Sequence, residues 1–76
     1  MKRHDLKIAP KYFMDVVNRV KTFEIRNNDR EFKVGDVLFL HEYVDGDYTK
    51  EEVCKRTVTY ITDYAQKDGY VVMSIE

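Results

Sequence analysis

Apolar residues recur along this chain at two spacings, and the changes from one to the other mark the elements. His4, Leu6 and Ile8 alternate with Asp5 and Lys7, which predicts a first strand over 4–9. Pro10 follows, and its fixed φ suits the first position of a helix. Phe13, Val16, Val17 and Val20 then fall at i, i+3, i+4 and i+7, an apolar stripe with Lys11, Asp15, Asn18 and Arg19 facing away. Three valines in so short a helix lower its intrinsic propensity, so packing must hold it. Asn18 is the expected stop, because Asn tolerates the left-handed conformation that ends helices.

The stretch from Lys21 to Asp36 organises what surrounds it. It opens as an alternating strand with Phe23 and Ile25 on one face and Thr22, Glu24 and Arg26 on the other. Asn27, Asn28, Asp29 and Arg30 form a loop of side chains able to bond their own backbone. Phe32, Val34 and a Gly35–Asp36 turn close it. Four bases (Lys21, Arg26, Arg30, Lys33) and four acids (Glu24, Asp29, Glu31, Asp36) lie between these apolar anchors. Forked donors and acceptors beside a strand end suit recognition of a planar polar ligand, or else form a solvated ion-pair network that pins the loop.

Val37–Val44 is continuously apolar over its first four residues, as expected of a strand covered on both faces. Asp45-Gly46-Asp47 predicts a hairpin turn with Gly46 at positive φ. A β-branched strand is expected over 52–62, with Glu51 and Glu52 guarding its start. Val58 and Tyr60 share one face there, and Thr57, Thr59 and Ile61 the other, with the inward face open. After a turn over 63–69, Val71, Met73 and Ile75 alternate in a last strand, Tyr70–Ile75. The order β-α-β-loop-β-β-β within 76 residues predicts an α+β fold. Its expected form is one domain spanning 1–76, a small bent sheet or partly closed β-barrel of about five strands, with the helix plugging one end.

Composition narrows the class. A hydrophobic content of 43% with six Tyr and four Phe supports one core and argues against disorder. Cys54 is the one cysteine, which excludes an internal disulfide and a Cys-cluster zinc site and fits a reducing compartment. With His4 and His41 far apart in sequence, no metal ligand set is expected, and no cofactor. The longest apolar run, Val37–Leu40, is too short for a membrane span, so no membrane role and a cytoplasmic location are expected. The net charge of −1 hides an asymmetry: residues 1–26 carry seven bases against three acids, and residues 27–76 six against eleven. A small basic site on an acidic background fits a nucleotide, a base or a short single strand better than long duplex tracking.

Several segments together resemble the ASCH-like domains of the PUA superfamily, nearest a small bacterial and phage branch. They are His4-Asp5-Leu6-Lys7-Ile8, Tyr12-Phe13, Lys21-Thr22-Phe23-Glu24-Ile25-Arg26, Asn28-Asp29-Arg30-x-Phe32-x-Val34-Gly35-Asp36 and Gly69-Tyr70-Val71-Val72. The resemblance covers essentially the whole chain. It implies a PUA-like barrel with a cleft beside the helix and a role in binding RNA or modified nucleobases. It also implies comparison with members that deacylate modified cytidine, which use a Lys at the position of Lys21 and a Thr nucleophile three residues later. Glu24 stands at that second position, Thr22 sits two positions early, and no longer insert is present to carry a distant acid. Arg19 stands where relatives usually place Gly after the helix.

The candidate ligand-binding residues are therefore Lys21, Glu24, Arg26 and Arg30. Glu24 and Arg26 on one strand face could read a base edge, the acid accepting from an amino group and the guanidinium donating to a carbonyl or ring nitrogen. Arg30 suits a phosphate fork. Tyr12, Tyr43, Tyr60 and Phe32 are the candidates for a stacking platform, one or two of them at most. Three functions follow. The first is a monomeric binding module for a nucleobase, a nucleotide or short single-stranded RNA. The second is an amidohydrolase acting on acylated cytidine with Lys21 and Glu24 as catalytic candidates. The third is an accessory protein that contacts a protein partner through the acidic hairpin of Glu42, Asp45, Asp47, Glu51 and Glu52 with Tyr43 and Tyr48.

Overall fold

Six elements follow one another in the computed structural model: β1 (Arg3–Ile8), α1 (Pro10–Val17), β2 (Phe23–Asn27), β3 (Val37–Val44), β4 (Asp47–Thr62) and β5 (Tyr70–Ile75). The structure describes residues 1–47 and 53–76 in full, and 48–52 only as part of β4. The expected guard residues Glu51 and Glu52, and Tyr48 of the hairpin surface, lie outside the residues described in full. The strands form one mixed sheet in the order β1-β3-β4-β5-β2, with β1 parallel to β3 and the other neighbours antiparallel.

The fold is α+β as expected, but the sheet does not close into a barrel. The edge strands β1 and β2 share no ladder. The sheet is nonetheless curled. In a flat five-stranded sheet the edges would stand roughly 19 Å apart, whereas the Arg26 guanidinium of β2 hydrogen-bonds the Lys7 carbonyl of β1 at 2.9 Å. The long strand β4 accounts for the curl. It pairs with β3 through Thr57 and with β5 from Val58 onward, so one strand serves two halves of the sheet. An irregularity between Val58 and Tyr60 leaves Thr59 without an opposite residue. One extra residue reverses the alternation. Val58 is therefore buried and Ile61 packs against the core, while Tyr60 is exposed, so Val58 and Tyr60 do not share a face.

Inside the curl, Leu6 and Ile8 of β1, Leu38 and Leu40 of β3, Cys54 and Val58 of β4, and Val71, Met73 and Ile75 of β5 meet Phe32 and the helix. The helix contributes Phe13 and Val16, both almost fully buried. Burying two such side chains stabilises by about 1.5–3 kcal/mol each, more than the few tenths that each valine costs the helix. The apolar stripe is shorter than its spacing predicts: Val17 is half-exposed and Val20 exposed, because α1 ends at Val17. The left-handed residue is Arg19, at φ +61°, and not Asn18, whose φ is −84°. Arg19 N–H donates to the Val16 carbonyl and Val20 N–H to the Asp15 carbonyl, the paired bonds of a Schellman ending. The Val16 carbonyl also accepts from Arg56 of β4, which ties the helix end to the sheet.

The turns agree with their residues. Val44 pairs with Asp47 across a two-residue loop in which Asp45 and Gly46 both have positive φ, the combination a tight primed hairpin requires. Asn28 Oδ1 accepts the Phe32 N–H at 2.8 Å and folds 28–32 into a compact loop that turns Phe32 into the core.

Candidate functional site

The open seam between β1 and β2 is where the chemistry collects. Lys2 O and Val37 N–H bond across the parallel pair, so by the alternation of a strand Asp5 and Lys7 direct their backbone groups away from β3 and into the seam. On the other side, Ile75 N–H bonds Thr22 O and Asn28 N–H bonds Gly69 O. Phe23, Ile25 and Asn27 therefore direct theirs away from β5 and into the same seam. Side chains answer these edge carbonyls. Arg26 donates to Lys7 O, Arg30 to Asp5 O at 3.0 Å, and Lys21 to Phe23 O at 2.7 Å. A sheet edge left bare would template pairing with other chains; here three cations cover it.

Glu24 sits at the centre. It lies opposite Met73 in the ladder, so its side chain points to the core face, and it is only 4% exposed. A buried carboxylate must be matched. Both its oxygens are: Oε2 meets the Lys21 ammonium, and Oε1 accepts from Arg26 Nη2 at 2.8 Å and more weakly from Nε at 3.3 Å. The strand face with Glu24 and Arg26 is thus the inner one, while Phe23 and Ile25 are 41% and 51% exposed. They are not the apolar anchors their types suggest.

The Schellman ending delivers Lys21 to this place. Its own N–H returns to the Asp15 carbonyl at 3.0 Å, which turns the chain sharply off α1 and aims the side chain back along β2. The ammonium then lies 4.8 Å from the Phe23 ring centroid and 5.6 Å from that of Tyr12, within cation–π range of both. Around it opens a cleft of about 490 Å³, with Ile8, Ala9 and Tyr12 on one side and Phe23, Glu24 and Arg26 on the other. Its walls are mainly apolar, with charged groups converging at one end, the usual constitution of a small-ligand site.

A second cleft of about 420 Å³ continues along the seam, lined among others by Lys7, Arg26, Asn27, Asp29 and Arg30. Lys7 and Arg26 belong to both clefts. Three of the four expected site residues, Lys21, Glu24 and Arg26, therefore form one cluster, and Arg30 stands in the adjoining cleft.

Comparison with known proteins places the chain in a family. A family model described as a domain of unknown function, DUF3850, matches residues 3–75. The chain belongs to the DUF3850 family. It is also similar to an uncharacterized 12.9 kDa protein in the GpA 3′ region of Escherichia phage P2, with 38% identity over 73 residues. That alignment takes in 95% of this chain and 66% of the phage protein, so the chain spans a little under two thirds of its relative.

In this DUF3850 domain the other charged residues build structure around the seam. His4 and Asp36 form a buried pair at 2.8 Å, with the His4 ring edge-on to Phe32 at 4.7 Å. Burial would raise the Asp36 pKa, but hydrogen bonds from His4 and from the Lys2 and Lys33 N–H groups outweigh it and hold the carboxyl at about 2. Asp5, on the outer face of β1, is held at about 2 by Arg3 and His41, whose side chains both bond it. His4 and His41 are thus each engaged with a carboxylate, as satisfied strand residues. Phe32 is core and not a stacking surface. Among the described residues no helix is long and apolar enough to cross a membrane.

Sequence reasoning missed Phe23 and Lys7 as lining residues. Phe23 was legible in one respect only: it stands two residues after Lys21, and an aromatic so near a cation is available for cation–π contact. Nothing local marks Lys7. Its place in both clefts comes from β1 and β2 being the two ends of a curled sheet.

Proposed function

We propose that this domain is a binding module that takes a nucleobase, within a nucleotide or a short single-stranded RNA, into the cleft between α1, β1 and β2. The observation that carries the reading is the juxtaposition of two half-exposed aromatic rings, Tyr12 and Phe23, with the paired Lys21–Glu24–Arg26 cluster. A base needs a flat apolar surface and in-plane partners. The rings offer the first, since stacking on an aromatic contributes about 1–3 kcal/mol per base. The cluster offers the second: Lys21 uses two of its three N–H groups on Phe23 O and Glu24, and the Arg26 Nη1 group meets no acceptor among the described residues. Glu24 Oε2, which meets Lys21 alone among the described residues, has a further lone pair for an exocyclic amino group, whereas Oε1 is taken up by its two Arg26 bonds. The resemblance to ASCH-like domains supports the same reading.

The arrangement favours binding over hydrolysis. A general base must be free to take a proton from the attacking group, and Glu24 is instead held between Lys21 and Arg26, one on each oxygen. The acidic hairpin has Asp45 and Gly46 in its turn, and three of the residues that would make it a recognition surface lie outside those described in full.

Titrating the protein with ribonucleosides, nucleotides and short single-stranded RNAs while recording amide and side-chain shifts tests the proposal. Shifts confined to residues 8–12 and 21–26, lost in Arg26→Ala while the remaining spectrum stays folded, are the expected result. The absence of any shift there at millimolar ligand would end it.

A further inference from the structure

The second cleft extends the first in a direction that a bare base would not use. It is the more polar of the two and carries the guanidinium groups of Arg26 and Arg30 against Asp5 and Asp29; Lys7 also lines it, but its ammonium lies over the Tyr43 ring, 4.5 Å from the centroid. Asp5 is already matched outside the cleft, through a two-pronged contact from Arg3 at 3.0 and 3.2 Å and a bond from His41 at 2.9 Å. That leaves Asp29 as the acid facing the cations. Arg30 spends one guanidinium nitrogen, Nη1, on Asp5 O. Its Nε and Nη2 edge meets no acceptor among the described residues, and that is the edge that grips an oxyanion with two parallel bonds. Arg26 reaches both clefts: Nε and Nη2 are held by Glu24 and Lys7 O, and Nη1 meets no acceptor among the described residues.

From this geometry we propose that the second cleft is a phosphate subsite, gripped by Arg30 with Arg26. The natural ligand is then a nucleotide carried with its phosphate, and not a free base or nucleoside. The inference rests on the first cleft being the base site. Arg26 couples the two: it is fixed by Glu24 beside the base and reaches toward the phosphate. Asp29 opposes the phosphate on one side and limits the directions from which it can enter. Phosphate on a free nucleotide and phosphate in a strand present the same chemistry to Arg30, and the two sources are separated by the probes used.

The test titrates the full chain with four ribonucleosides, their 3′- and 5′-monophosphates, a uridine trinucleotide and inorganic phosphate. Shifts at 12 and 21–26 report the base, and those at 5–7 and 27–30 the phosphate. One of the two monophosphate series binds about tenfold tighter than its nucleoside, as expected for charge-assisted bonds. Arg30→Ala removes that gain and leaves nucleoside affinity unchanged, Arg30→Lys keeps part of it, and Asp29→Asn strengthens the monophosphate alone. A trinucleotide that binds tighter than the monophosphate assigns the site to a strand; equal affinity assigns it to a free nucleotide. Equal affinity of nucleoside and monophosphates in the wild type overturns the inference, as does a phosphate gain that survives Arg30→Ala. If inorganic phosphate shifts 5–7 and 27–30 while no nucleoside touches 21–26, the base reading fails and the phosphate subsite stands.

Discussion

Glu24 lies opposite Met73 on the core face of β2, and this one pairing puts a carboxylate where an apolar residue would be expected. The ion cluster around the site follows from it. Lys21 and Arg26 are drawn inward to match the buried charge, and in doing so they bond carbonyls of the two sheet edges.

Removing that charge leaves two partly buried cations facing each other. Glu24→Gln keeps the shape and loses the neutralisation, so the variant is expected to lose about 2–4 kcal/mol of stability. The upper part of the usual range is not reached, because Lys21 and Arg26 are 15% and 25% exposed and water can reach them. Urea unfolding measures this directly. A loss under about 0.5 kcal/mol would mean that the cluster is a solvated surface network.

Arg19 holds a left-handed φ of +61° in the Schellman ending, a conformation that costs a residue with a Cβ about 1 kcal/mol. Arg19→Gly relieves the cost at the price of a freer unfolded chain, and a net gain of about 0.5 kcal/mol is expected. Thermal unfolding reads the change. A lower melting temperature in Arg19→Gly would show that the arginine side chain contributes more than its backbone costs.

Much of the fold is legible from residue types alone. The burial of His4, Leu6 and Ile8, the Asp45–Gly46 turn and the alternation of Val71, Met73 and Ile75 all follow local pattern. The failures share one cause: information that resides in the neighbouring strand. Charged Glu24 and Arg26 beside apolar Phe23 and Ile25 read as an outer and an inner face, and only the register with Val71 and Met73 reverses them. The irregularity at Thr59 has no Gly or Pro to announce it, so the parity of Val58 and Tyr60 could not be read. Of the site, the Lys21–Glu24–Arg26 grouping was legible because it lies within six residues. The walls supplied by Ile8, Ala9 and Tyr12 depend on the curl of the sheet.

Asp36 gives the fold an acid limit. Its carboxyl is held at about 2, below the ordinary 3.8, so it favours the folded state once ionised. The stabilisation, about 2 kcal/mol, is fully present above about pH 4 and is lost as the pH falls toward 2. Urea midpoints at pH 5 and pH 2.5 are expected to separate more for the wild type than for Asp36→Asn. Equal separations would assign the acid sensitivity to other carboxylates.

Intermolecular nuclear Overhauser effects show whether a base sits in the cleft beside Lys21. In the complex with the tightest-binding mononucleotide, contacts are expected from base protons to the ring protons of Tyr12 and Phe23, both lost when the base is removed and ribose phosphate is used instead. Contacts from the base to Tyr43 or Tyr60 with none to Tyr12 or Phe23 would contradict that placement.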